Sequence, residues 1–192
     1  RVSRAAKSRV SKPHPRPVRR VGWALLSKLG DGDEGATMGL STDGTGARRG
    51  RSRWLAAAVA TVPGLNEQGG DLSTSCLPDA LVLFNPVYDN GPEGFGYTKV
   101  KERYKEISPM HNLRKGMPPT IVFLGDQDKL ILVSTAEKFR DEMRKLGNRS
   151  ELVVYANQPH GFFNKGKPGD CFPKTMKETD RFLVSLGWLK KN

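Results

Sequence analysis

From Leu55 onward two hydrophobic patterns alternate along the chain. The first is an unbroken apolar run of strand length: "DALVLFNPV" at 79–87, "PTIVFLG" at 119–125 and "ELVVYA" at 151–156. A strand with no polar alternation suits a sheet covered on both faces. The second pattern is helical. "LAAAVATVPG" (55–64) is a good helix former stopped by Pro63 and Gly64. "STAEKFRDEMRKLG" (134–147) opens with Ser134 and Glu137 in capping-box spacing, carries Phe139, Met143 and Leu146 at helical intervals, and stops at Gly147. "PKTMKETDRFLVSLGWL" (173–189) is a helix opened by Pro173 with Met176, Phe182, Leu183 and Leu186 on its apolar side. The order is helix, strand, long irregular insert, strand, helix, strand, helix. Buried strands alternating with amphipathic helices predict a doubly wound α/β domain: a mostly parallel sheet with helices on both faces.

Residues 1–54 read differently. They are rich in Arg, Gly, Ser and Pro, and their single apolar stretch, "VGWALLSKLG", offers too few spaced apolar residues to bury a face. No strand is expected there, and the segment reads as disordered or loosely attached. It holds 13 of the 32 Lys and Arg and 4 of the 20 acids, a net of +9 out of the chain's +12. The basic character therefore belongs to this arm, and residues 55–192 are charge-balanced as an ordinary enzyme domain is. Nucleic-acid binding by the arm is not favoured, because Trp23 and Trp54 are its only aromatic residues. No signal peptide is visible, and cytoplasmic and exported locations both stay open.

The remaining composition narrows the class without choosing a function. A hydrophobic share of 36% and the absence of any run near the roughly 18 apolar residues of a spanning helix exclude a helical membrane protein. The two cysteines, Cys76 and Cys171, have neither metal-ligand nor multi-bridge spacing and read as reduced structural thiols. Three histidines set far apart give no zinc motif, and no cofactor is expected.

In open parallel sheets the functional groups gather in the loops that leave the C-terminal ends of the strands. The loop after "TIVFLG" reads "DQDKL" and offers Asp126 and Asp128; the loop after "ELVVYA" reads "NQPHGFF" and offers His160. Adjacent parallel strands would bring these loops together, letting a carboxylate hold the imidazole in the tautomer a general base needs. His14, in "KPHPRP", belongs to the arm, and His111, in "SPMHNL", reads as structural.

"PDALVLFNPV", "SPMHNL", "PPTIVFLGDQDKL" and "QPHGFF", in this order, resemble the C-terminal half of α/β-hydrolase-fold serine hydrolases of the esterase and lipase type, over residues 55–192. The resemblance implies a partial α/β-hydrolase fold, carboxylic ester hydrolysis through a Ser-Asp-His triad, a small-molecule ester as substrate, Asp128 as the triad acid from the Gly-x-x-Asp pattern of "GDQD", and His160 as the base. Leu132 departs from relatives that carry Pro at that place. The nucleophile elbow Gly-x-Ser-x-Gly, expected directly before "LAAAVATVPG", is missing: the chain reads Gly50-Arg51-Ser52-Arg53-Trp54, with the bulk of Trp54 where the second glycine belongs, so the nucleophile stays unassigned, and Ser52 is either a candidate for it or a solvated serine of the basic arm. No His-Gly-Gly stretch for an oxyanion hole precedes it, a loss on the order of 3 to 4 kcal/mol of transition-state stabilisation per donor.

These features lead to the expectation of a truncated hydrolase, with residues 1–54 out of register with the rest, that is inactive as written. The competing expectation is a non-catalytic fragment or binding module whose basic arm contacts anions. Neither fixes the oligomeric state.

Overall fold

The computed structural model describes residues 21–25, 55–62, 77–167 and 169–190. Four strands form one parallel sheet in chain order: β1 (Val21–Leu25), β2 (Ala80–Phe84), β3 (Thr120–Gly125) and β4 (Ser150–Tyr155). Helix α1 (Leu55–Thr61) precedes β2, α3 (Val133–Lys145) joins β3 to β4, and α4 (Cys171–Ser185) comes after β4. The connection from β2 to β3 carries the one-turn helix α2 (Tyr97–Val100) and two 3₁₀ turns.

The apolar runs of β2 and β3 are covered on both faces as expected, whereas β4, at the end of the described strand order, is only half-buried, with Val154 exposed. β2 and β3 are buried throughout, and successive side chains go to opposite faces. Leu81, Leu83, Val122 and Leu124 join one core with Ala57 and Ala60 of α1 and Ala136, Phe139 and Met143 of α3. Ala80, Val82, Phe84, Ile121 and Phe123 join the other, against Phe182 and Leu183 of α4 and the loop residues Phe162 and Phe163. No described helix is long and apolar enough to cross a membrane.

Three elements depart from the pattern read along the chain. A strand occurs inside the basic segment, with Val21–Leu25 pairing in parallel with Ala80–Phe84. "VGWAL" lacks the spaced apolar positions of a half-buried element, but a strand joining a two-faced sheet requires only a short continuous run and a partner edge, which β2 supplies. Helix α3 begins at Val133, and neither Ser134 nor any other side chain caps it. Instead the carbonyl of the extended residue Leu132 accepts from the N–H groups of Thr135 and Ala136, at 3.1 and 3.3 Å. Helix α4 begins at Cys171, two residues before Pro173, because a proline is tolerated anywhere in a first turn whose N–H groups have no partner within the helix.

At their C-terminal ends these two helices stop at glycines. Gly147 and Gly187 take left-handed φ values of 77° and 72°. Around each, two hydrogen bonds close the helix: Gly147 to Arg144 and Asn148 to Met143, and Gly187 to Val184 and Trp188 to Leu183. Cys171 is a buried free thiol, whereas Cys76 lies outside the described residues.

Candidate active site

The parallel pairing of β3 with β4 puts the loops beyond their C-terminal ends side by side, and the contact continues past the strands. Asp126 N–H donates to the Tyr155 carbonyl at 3.1 Å, and Gln127 N–H to the Gln158 carbonyl at 3.0 Å. Gly125, the last residue of β3, lies so close to Gln158 that a Cβ there would overlap the Gln158 carbonyl oxygen. Beyond Gly125 the chain turns, with Asp128 N–H donating to the Gly125 carbonyl at 3.2 Å, which drops the Asp128 side chain into the interior.

His160 is held in place by its C-terminal neighbours. Gly161 adopts φ 76°, and the adjacent Phe162 and Phe163 are buried in the core. Phe162 packs on Tyr155 at 4.9 Å between ring centroids, and Phe163 on Phe84 at 4.9 Å. These two rings anchor the turn to the sheet, so the imidazole is presented from a fixed point.

The structure brings Asp128 and His160 together, with Nδ1 of His160 2.8 Å from Oδ2 of Asp128. The Asp128 side chain is 0% exposed and that of His160 15%. The other carboxylate oxygen of Asp128, Oδ1, accepts from the N–H groups of Leu130 and Ile131 at 2.8 and 3.1 Å. Asn85, at the end of β2, donates its side-chain amide to Oδ2. Burial alone would push the Asp128 carboxyl up; the hydrogen bonds from His160, Leu130 and Ile131, and the nearby imidazole, outweigh it and hold the group below the usual aspartate value. Nε2 of His160 is buried and has no hydrogen-bond partner among the described residues. With Nδ1–H donated to a carboxylate, Nε2 carries the lone pair, and the arrangement is that of a base with one open position.

The other candidates fall elsewhere. Asp126 is exposed, and the hydrogen bond to His160 goes to Asp128. His111 sits in the β2–β3 connection, where Nδ1 lies 2.9 Å from the Ser108 hydroxyl and 3.7 Å from Asp89. Ser108 in turn donates to the Tyr88 carbonyl, and the cluster ties the connection down. Ser52, His14 and Trp54 lie outside the described residues. Among the described residues no three His, Cys, Asp or Glu side chains gather as metal ligands would.

Asn85 is a site residue that the sequence pattern missed, having been counted inside the apolar run 79–87. The Asn85-Pro86 pair is a turn signal that would have ended the strand at Phe84 and placed Asn85 in a strand-end loop beside the other two.

A sequence model of the prolyl oligopeptidase family matches residues 29–184. The match begins upstream of Leu55, where the resemblance read from the sequence begins, and so takes in part of the basic segment. Among solved structures, the chain is similar to the apo form of Thermogutta terrifontis esterase 2, at 37% identity over 71% of this chain and 53% of that one, with a TM-score of 0.65. It is also similar to the same esterase phosphoramylated by tabun (36% identity, 71% of this chain, 52% of that one, TM-score 0.65). The propionate-bound form, described as a thermophilic esterase, matches at 37% identity (71% of this chain, 53% of that one, TM-score 0.63). The chain thus spans about half the length of these structures. Their folds make the parallel sheet described above part of an α/β-hydrolase fold. A search of curated proteins gave no match.

Proposed function

The chain belongs to the prolyl oligopeptidase family, and from that premise we propose that its site serves carboxylic ester hydrolysis through an acyl-enzyme. The observation that carries the reading is the half-buried His160, clasped at Nδ1 by Asp128 and, among the described residues, without a partner at its buried Nε2. In this reading a serine attacks the ester carbonyl while Nε2 takes its proton. The imidazolium then protonates the leaving alcohol, and the same base activates water to release the acid. Asp128 remains ionised and fixes the ring in the Nδ1–H tautomer. Short acyl chains are the proposed substrates, by analogy with the esterase structures that hold propionate and butyrate.

The nucleophile is the open part. Ser52 stands in Gly50-Arg51-Ser52-Arg53-Trp54, one residue short of the elbow pattern, and the chain as written is proposed to be silent for that reason. Trp54→Gly completes the pentapeptide in a single step. We expect the unsubstituted chain to leave a short-chain nitrophenyl ester at the background rate and the Trp54→Gly chain to cleave it. Adding His160→Ala or Ser52→Ala should abolish that gain, because members of a triad act only as a set. Turnover that survives His160→Ala would refute the relay. No turnover in either chain would refute ester hydrolysis as its activity.

A further inference from the structure

We infer that Asn85 is a positioning residue, holding the Asp128 carboxylate in the orientation that serves His160. The inference rests on the Asp128–His160 relay proposed above, since Asn85 acts through Asp128 and is assigned no contact with substrate.

Three observations converge on this residue. Its amide donates to Oδ2 of Asp128, the same oxygen that faces Nδ1 of His160. It is fully buried, which at that depth leaves the carboxylate no water to replace a lost donor. Its backbone is left-handed, with φ 45°, while its own N–H is tied to the Phe123 carbonyl of β3 at 3.0 Å. Glycine, asparagine and aspartate are the residues that take such a backbone readily. Of these three, asparagine alone brings an amide donor. A glycine would leave Oδ2 to His160 alone, and an aspartate would set a second carboxylate against the first.

The amide orientation is fixed by the same contacts. Turned over, it would point its own oxygen at a carboxylate, so Nδ2 faces Asp128 and Oδ1 is left without a partner among the described residues. A buried acceptor left open is costly, and the arrangement keeps it in order to complete the cage around Asp128. Oδ1 of Asp128 is fixed by two main-chain N–H groups, and Oδ2 by one side chain on each flank, Asn85 from β2 and His160 from the β4 loop. Without Asn85 the carboxylate has no anchor on the β2 side.

The test monitors the Asp128 side-chain carboxyl by ¹³C resonance in the whole chain as pH is lowered. Asn85→Gly, which keeps the left-handed backbone, should raise the Asp128 titration midpoint by about one pH unit, as expected for loss of one hydrogen bond to an ionised group. A second variant, Asn85→Asp, keeps the shape. In the folded chain its two carboxylates resist ionising together, so it should melt well below the parent at neutral pH, and the gap should narrow on acidification as the unfolded chain takes up the proton that the folded pair favours. His160 is the titratable side chain that faces Asp128 and is common to both chains. An unmoved midpoint in folded Asn85→Gly, or a melting gap in Asn85→Asp that does not change with pH, would overturn the inference. Failure of the ester assay alongside a shifted midpoint would instead refute the proposed function and leave the role of Asn85 in holding Asp128 intact.

Discussion

Gly125→Ala is the sharpest perturbation the geometry offers, because one methyl group would press the two site loops apart. A Cβ at position 125 would overlap the carbonyl oxygen of Gln158, stand 2.7 Å from its carbonyl carbon and lie 3.1 Å from its Cβ. Carbon atoms rest about 3.5 to 4.0 Å apart, so Gln158 must retreat by roughly 1 Å. Gln158 also receives the Gln127 N–H and lies two residues before His160. Forcing a methyl into a filled site costs about 1 to 3 kcal/mol. Losing the Gln127 hydrogen bond adds about 1 kcal/mol. The total of about 2 to 4 kcal/mol corresponds to a fall in Tm of about 4 to 16 °C for a chain of this size. Thermal unfolding monitored by circular dichroism measures it directly. Gln158→Ala added to Gly125→Ala should not restore the loss, because the clash is with the main chain. A Gly125→Ala protein that melts within a degree of the parent, or full rescue by Gln158→Ala, would refute the claim that this close approach sets the spacing of the loops.

Two further changes test neighbouring parts of the same loops. Leu132 is 60% exposed with φ −71°, the value a proline ring imposes, so Leu132→Pro should stabilise the start of α3 by about half to one kcal/mol, seen as a rise in Tm of a few degrees; a fall would show that the preceding Ile131 cannot accommodate the ring. Asp128 is held below its usual value in the folded chain, so its contribution to stability is complete above the ordinary aspartate value and drains away as pH falls through the lowered one. The melting advantage of the parent over Asp128→Asn should therefore shrink on acidification, and an advantage that grows with acid would show the sign to be wrong.

Legibility from the sequence depends on which physical signals are local. β2 and β3 were legible because a strand buried on both faces must be apolar at every position; β4, half-buried with Val154 exposed, was legible from its run of Leu, Val, Val and Tyr. Asp128 and His160 were legible because parallel strands fix where strand-end loops meet, even though the residues are 32 positions apart. β1 was not legible, since a five-residue run gains its stability from the edge of β2 and carries no signature of its own. The start of α3 was misread for a related reason. Ser134 and Glu137 have the spacing of a capping box, but Asp128 draws the N–H groups of Leu130 and Ile131 inward and sets the entry of the chain, so the helix begins from the Leu132 carbonyl. Asn85 was hidden because its role depends on a contact with Asp128, 43 residues away, that the local pattern cannot encode.

The hydrogen bonds around Asp128 also bear on how the proposed labour is divided. An ionised carboxylate has about four acceptor sites. In Asp128 they meet four donors: the Asn85 amide, the N–H groups of Leu130 and Ile131, and Nδ1 of His160. A saturated carboxylate has no site left with which to attack a carbonyl or take a proton from water, and the donors that hold its charge also make protonation unfavourable. It can orient and compensate charge, and little else. His160 is the reverse case, with one ring nitrogen committed and the other buried without a partner among the described residues. Leaving a buried acceptor open costs about 1 to 3 kcal/mol, a cost that a nucleophile's hydroxyl at Nε2 would remove. On the proposed reading, the part of the site carried by residues 85–160 is assembled in advance of a nucleophile, and the position left open among the described residues is the one the acyl-enzyme mechanism requires.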